Sequence, residues 1–208
     1  MTQIKCIQQA PAYLCTRPMN IDSFYIAGIN YKKTDVSIRG SFAVNSTQYQ
    51  SILAKAAQQN IPGVFVLSTC NRTEIYGMVH DVEQLIQLLC GETTGSETTF
   101  RQLAYIKQGE SAVNHLFDVG AGLDSQILGD YEIIGQIKQS VKLAKERGLI
   151  NTLLERLLNT VLQSGKAIRS QTQLSSGTVS VSFAAIRFLK DTVTAIQHKK
   201  RSEERRVG

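Results

Sequence analysis

Val64-Phe65-Val66-Leu67-Ser68-Thr69-Cys70-Asn71-Arg72-Thr73-Glu74-Ile75-Tyr76 is the stretch that decides the fold. Val64 to Leu67 is an apolar run bounded upstream by Pro62-Gly63, the pattern of a buried strand. Thr73 to Val79 alternates as a second strand does. Thr69 to Arg72 then form a tight strand-to-strand turn, and turns held by a rigid sheet are where folds present reactive groups. Cys70 stands there among a hydroxyl, an amide and a guanidinium. Arg72 is placed to favour the thiolate, the reactive form of the side chain. The residues alone leave a second reading equally open, a small cysteine packed at a strand end.

Working outward, Phe24 to Ile29 reads as a short strand and Asn30 to Thr34 as the loop after it. Asn45 caps a helix, with Gln48 at capping-box spacing and Tyr49, Ile52, Leu53 and Ala56 as the buried stripe. Val82 to Cys90 is a second helix with Leu85, Ile86, Leu88 and Leu89 as core, and Phe100 to Ile106 is expected to be a further strand. These elements predict a small α/β sandwich with helices on one face. From Glu110 the period becomes helical. Ala112, Val113, Leu116 and Phe117 make one stripe, and His115 shares a face with Ala112 and Val119, where a histidine is ordinarily a hydrogen-bonded packing residue.

Asp130 is expected to open a long helix burying Ile133, Ile137, Val141 and Ala144 and ending at Gly148. Glu132 and Gln136 share a face of it. Thr152 opens the next helix, with Leu157, Leu158, Val161, Gly165 and Ile168 inward. Lys166 and Arg169 project from it together, either as solvated charges or as nucleic-acid contacts. Ser175-Ser176-Gly177 breaks that helix, and Thr178 to about Gln197 reads as another. The fold class is α+β. The expected divisions are an extension (1–22), an α/β part with Cys70 (23–109), a helical part (110–176), the start of a connecting helix (177–198) and a basic tail (199–208).

The chain has 208 residues, 42% hydrophobic and 19% charged, ordinary values for a soluble globular protein. No apolar run is long enough to span a bilayer, and the first 22 residues lack a signal-peptide core. The four cysteines show neither Cys-x-x-Cys nor metal-type spacing, which points to free thiols in a reducing cytoplasm and to no metal site. A net charge of +6 permits a polyanionic partner. Five basic residues lie in the last ten, however, and the rest of the chain is nearly balanced.

The string Ser68 to Tyr76 resembles the nucleophile motif of the glutamyl-tRNA reductase family. Gly122-Leu123-Asp124-Ser125-Gln126-Ile127-Leu128-Gly129 resembles its second signature, and Gly28-Ile29-Asn30-Tyr31-Lys32 its opening one. Three motifs in the family's order, over roughly residues 23 to 190, make the resemblance specific. It implies an N-terminal catalytic domain in which Cys70 attacks the glutamyl ester of glutamyl-tRNA, giving a thioester that NADPH reduces to glutamate-1-semialdehyde for tetrapyrrole synthesis. It implies catalytic roles for Cys70 and His115, and substrate contacts from Thr69, Asn71, Arg72, Ser125, Asp130, Tyr131, Glu132 and Gln136, with Arg72 on the substrate's carboxylate. Many members carry His at Tyr31, Glu at Asp130, Pro at Tyr131 and an acidic residue at Gln171.

The family's NADPH-binding and dimerisation regions have no counterpart in this stretch, and residues 201–208 do not resemble it. The expectation is therefore a cytoplasmic fragment, monomeric where the full-length enzyme is a homodimer, that binds no cofactor and forms and hydrolyses the thioester only. A downstream aminomutase is a further expected partner of the full-length enzyme. Two other classes fit the same residues: a Cys70/His115 acyl hydrolase or transferase, and a tRNA-binding module without chemistry.

Overall fold

The computed structural model of the protein describes residues 20–172, 181–194 and 198. The expectations for Cys6, Cys15, the extension up to residue 19, the break at Ser175 to Gly177 and the basic tail lie outside the described residues.

The hairpin expected around Cys70 is present. β2 (Val64–Ser68) and β3 (Arg72–Met78) pair antiparallel from Ser68 opposite Thr73, and the Thr69 N–H donates to the Arg72 carbonyl at 2.8 Å to close the turn. β1 (Phe24–Asn30) lies on the other side of β3, with Asn30 opposite Arg72, and β4 (Tyr105–Gln108) pairs with β1. The described residues thus build one antiparallel sheet in the order β2-β3-β1-β4.

β3 departs from the expected alternation: all seven of its residues are buried. The reason is that both faces of the sheet are covered, whereas helices on one face only were expected. On one face α3 (Glu83–Cys90) packs where Gly77 leaves room for Leu85, whose Cδ2 would stand 2.6 Å from an added Cβ. On the other face α5 (Gly109–Gly120) brings His115 to Glu74.

The helices follow local chemistry. α2 (Ser46–Gln58) carries the full capping box between Asn45 and Gln48 and buries Tyr49, Ile52, Leu53 and Ala56. A short helix not expected from periodicity, α1 (Val36–Ser41), precedes it and opens where Asp35 accepts a hydrogen bond from the Ile38 N–H at 2.8 Å. The strand expected over Phe100 to Ile106 is corrected. Ser96 accepts from the Thr99 N–H and starts α4 (Glu97–Leu103), which buries Phe100 alone; only Tyr105 onward is strand.

α6 (Glu132–Glu146) starts two residues after Asp130, whose Oδ1 accepts from the Glu132 N–H at 3.0 Å. Its buried residues are Ile133, Ile137 and Ala144, with Val141 partly buried. α7 (Thr152–Gln171), capped by Asn151, crosses α5 closely because both carry glycine at the crossing. A Cβ on Gly120 would lie 2.5 Å from Val161, and one on Gly165 would lie 2.7 Å from the Gly120 carbonyl oxygen. α8 (Val181–Thr192) lies within the helix expected from Thr178 onward. No helix among the described residues is long and apolar enough to cross a membrane.

Candidate active site

Cys70 is exposed at the tip of the β2–β3 turn, and the turn is fixed from several sides. The Thr69 hydroxyl oxygen accepts from the Asn71 and Arg72 N–H groups, both at 3.2 Å, a side chain closing its own turn. The Tyr31 N–H donates to the Asn71 carbonyl at 2.9 Å, joining the turn to the loop after β1. Arg39, on α1, clasps both segments: its Nε donates to the Cys70 carbonyl at 3.3 Å and its guanidinium also donates to the Thr34 carbonyl. Behind the turn, the Ser68 hydroxyl accepts from the Val44 N–H at 3.0 Å and lies 3.2 Å from the Thr73 hydroxyl. The other described cysteine, Cys90, is half-buried, and burial followed by the charge of Glu97 pushes its thiol up to about 11. It is therefore a poor nucleophile near neutral pH.

Two residues along, the chain turns inward. Because β3 side chains alternate, Arg72, Glu74 and Tyr76 share the face toward α5. Arg72 is 1% exposed and Glu74 fully buried. The Arg72 guanidinium meets Glu74 Oε1 at 3.1 Å and Asp124 Oδ2 at 3.0 Å, and also donates to the Asp124 carbonyl. Glu74 further accepts from the hydroxyls of Tyr76 and Tyr105 and lies 2.7 Å from His115 Nε2. Lys32 pairs with Asp124 from the solvent side. The result is a chain of alternating charge, Lys32–Asp124–Arg72–Glu74, ending on His115.

The electrostatics follow from that order. Burial alone would raise the Glu74 pKa, but the hydrogen bond from His115 and the charge of Arg72 outweigh it and hold the carboxyl at about 2. Burial and then the Glu74 charge push the Tyr76 and Tyr105 hydroxyls up, so both remain protonated donors. The Arg72 pKa is raised despite burial, chiefly by Glu74. With Glu74 ionised the carboxylate can only accept, so His115 donates to it through Nε2–H. The Tyr105 ring, edge-on at 5.3 Å, packs against the imidazole.

Asp124 is delivered by a loop closed on itself. Gly122 has φ +73°, and its carbonyl accepts from the Gly129 N–H at 3.0 Å. A Cβ there would meet the Asp130 backbone at 2.8 Å, so the turn requires glycine. The loop begins where the Asp118 carbonyl, in the last turn of α5, accepts from the Leu123 N–H at 2.8 Å.

The structure therefore joins Arg72 and His115 through Glu74, and ties Thr69 and Asn71 to Cys70 in one turn. No hydrogen bond links the Cys70 thiol to His115 among the described residues. Ser125 lies on the Gly122–Gly129 loop beside Asp124, and Asp130 at the start of α6. Tyr131 takes the Arg169 guanidinium over its ring at 4.1 Å, while Arg169 itself stays exposed. Glu132 is exposed, and Gln136 lines a small pocket with Ser68, Val44 and Tyr49, one turn of helix away. Sequence reasoning gave no role to Glu74, Tyr105, Asp124, Lys32 or Arg39. The available signal for Glu74 was Arg72-x-Glu74-x-Tyr76, large polar residues at alternate positions of the strand.

Comparison with known proteins gives the family. The family model described as "Glutamyl-tRNAGlu reductase, N-terminal domain" matches residues 27–172. Glutamyl-tRNA reductase 2 of Flavobacterium johnsoniae is 48% identical over 177 residues, covering 85% of this chain and 41% of the relative. Glutamyl-tRNA reductase of Christiangramia forsetii is 45% identical over 85% of this chain and 42% of its own length. The solved glutamyl-tRNA reductase from Methanopyrus kandleri superposes with a TM-score of 0.66 at 27% identity, over 82% of this chain and 40% of that one. The chain thus spans about two fifths of the relatives it matches, and it belongs to the glutamyl-tRNA reductase family, whose N-terminal domain it carries.

Proposed function

We propose that this chain performs the acyl-transfer half of glutamyl-tRNA reduction. The Cys70 thiol loses its proton, and Sγ attacks the ester carbonyl that joins glutamate to the terminal ribose. The C–S bond forms, the C–O bond to the ribose breaks, and the ribose oxygen takes up a proton. The observation that carries this reading is the geometry of the turn. An exposed thiol stands on a backbone fixed by Thr69, Tyr31 and Arg39, so the nucleophile is pre-positioned while remaining open to a large substrate.

His115 is the group proposed to carry the proton, since its bond to Glu74 through Nε2 orients the ring at the cleft. Arg72 is proposed to take the side-chain carboxylate of glutamate. Its guanidinium is held by Asp124 in the structure, and the substrate carboxylate would exchange with that one. Thr69, whose hydroxyl proton is not used within the turn, and Asn71, Ser125, Asp130, Tyr131, Glu132 and Gln136 are the remaining proposed contacts. Gln136 is supported by its place beside Ser68, two residues before the nucleophile.

The reduction itself is a different matter. A Rossmann-type nicotinamide site is a parallel strand–turn–helix unit with a glycine-rich phosphate turn. The sheet of the described residues is antiparallel throughout and supplies no such unit, so the proposed role of this chain ends at the thioester. NADPH as reductant, tetrapyrrole synthesis, homodimerisation and an aminomutase partner belong to the proposed full-length enzyme.

Release of labelled glutamate from glutamyl-tRNA tests the proposal. Wild-type protein should accelerate it through formation and hydrolysis of the thioester, Cys70→Ala should return it to the uncatalysed rate, and Cys90→Ala should leave it unchanged. Equal release by the Cys70→Ala and wild-type proteins would contradict the proposal.

A further inference from the structure

The cluster that ends on His115 opens into a cleft of about 290 Å³ lined by Asn30, Lys32, Lys33, Tyr105, Lys107, His115, Asp118 and Asp124. Three of these are lysines, and they are not equivalent. Lys32 is engaged by Asp124, which is itself engaged by Arg72. Lys33 and Lys107 form no ion pair among the described residues. They come from different elements, Lys33 from the turn after β1 and Lys107 from β4, yet both line the same opening.

The strand period fixes the side on which Lys107 lies. Tyr105 and Lys107 share one face of β4, and the Tyr105 hydroxyl reaches Glu74, so Lys107 flanks the same network. Of the other charges at the opening, Asp124 is already matched by two cations, and Asp118 is the one carboxylate without a cationic partner among the described residues. Two free ammonium groups against one free carboxylate leave the rim positive. Outside residues 199–208 the chain holds 18 basic and 15 acidic residues, a small excess spread over many positions, so a local cationic rim adds attraction for a polyanion at this opening.

We propose that Lys33 and Lys107 form a phosphate-binding rim, which takes the sugar-phosphate backbone at the acceptor end of the RNA substrate as it leaves the cleft. The inference rests on the acyl-transfer reading above and adds the part of the substrate that reading leaves unassigned. Lysine suits this role, because a compact, mobile charge with three donors binds a phosphate as a point charge without demanding a planar partner. Such contacts set the register of the nucleic acid and carry no sequence information. The amino-acid carboxylate is the other anion of the substrate, but the guanidinium proposed for it lies deeper, on a residue only 1% exposed.

The test measures RNA binding apart from chemistry. A fluorescein-labelled, uncharged RNA hairpin carrying an acceptor stem and single-stranded CCA end is titrated with the 208-residue chain by anisotropy at several salt concentrations. Lys33→Gln and Lys107→Gln are each expected to weaken binding several-fold and to reduce the slope of log affinity against log salt by about one. The double variant should lose about two units of slope. In parallel, the acyl-transfer rate is compared for glutamyl-tRNA and for a 3′-O-glutamyl adenosine lacking the RNA. The double variant should depress the ratio of the two rates about tenfold or more. Affinity and salt slope unchanged in the double variant would overturn the rim, and so would equal losses on both substrates. If the wild type transfers no acyl group while the lysine variants still lose RNA affinity and slope, the rim stands and the Cys70 chemistry fails.

Discussion

Glu74 is the residue on which the site turns. It is fully buried, and four neighbours reach it: Arg72, Tyr76, Tyr105 and His115. Replacing it with Gln removes a buried charge and leaves Arg72 only Asp124 as a counter-ion, a change expected to cost about 3 kcal/mol in urea unfolding. The pH dependence follows from its depressed pKa. The folded value, about 2, lies below the ordinary carboxyl value of 4.5. Its contribution is therefore complete above the unfolded pKa and is lost as pH falls from about 4.5 toward 2. The integrated loss is on the order of 3 kcal/mol. Urea midpoints measured between about pH 6 and about pH 2.5 should show this loss in the wild type and a shallower one in Glu74→Gln; identical acid profiles would contradict it. This network was only half legible in the sequence. The alternation of Arg72, Glu74 and Tyr76 was visible, but the partners arrive from residues 31 to 52 positions away, on β4, α5 and the Gly122–Gly129 loop. No local period reports such meetings. For the same reason the pairing of Arg72, read as placed to favour the Cys70 thiolate, with the two carboxylates Glu74 and Asp124 was not legible in the sequence.

At the scale of elements, the legible features were those with local chemistry. The capping box at Asn45, the apolar stripe of α2 and the hairpin around Cys70 each follow from a few adjacent residues. The strand expected at Phe100 failed because Ser96 captures the Thr99 N–H and starts a helix first. The short α1 was missed because it buries none of its residues, so it leaves no apolar period. Yet α1 supplies Arg39, which ties the Cys70 turn to the loop after β1. Arg39→Ala should slow acyl transfer about tenfold or more by loosening that turn. Arg39→Lys, which keeps one donor, should recover part of the rate. Equal rates for Arg39→Ala and wild type would remove Arg39 from the site. The crossing of α5 and α7 makes a second prediction with an internal control. Gly165→Ala sets a methyl 2.7 Å from the Gly120 carbonyl and should destabilise by about 1–3 kcal/mol, despite the better helix propensity of alanine. Gly135→Ala on α6 meets nothing within 4 Å and should stabilise by up to about 1 kcal/mol. Thermal unfolding of the two variants decides whether close packing or propensity governs each site.

On the scale of the whole molecule, the two faces of the sheet are put to different uses. One face is closed by apolar packing from α3, and the other carries the ionic network under α5. Cys70, the proposed nucleophile, is kept apart from both, exposed at the end of the hairpin, where the proposed RNA substrate would have access to it. Three motifs far apart in the chain meet because β1 pairs with β3 and the Gly122–Gly129 loop returns to Arg72. That meeting explains why they were legible as a family pattern before any of their contacts were. The proposed function stands or falls on Cys70 carrying the glutamyl group. Mass spectrometry can detect that group on the protein, rapidly quenched in acid after mixing with glutamyl-tRNA and then digested at low pH. One glutamyl adduct on the peptide containing Cys70, discharged by hydroxylamine and absent from the Cys70→Ser protein, is the expected result. An adduct on Cys90 or another residue, or none on Cys70 under conditions where glutamate is released enzymatically, would contradict it.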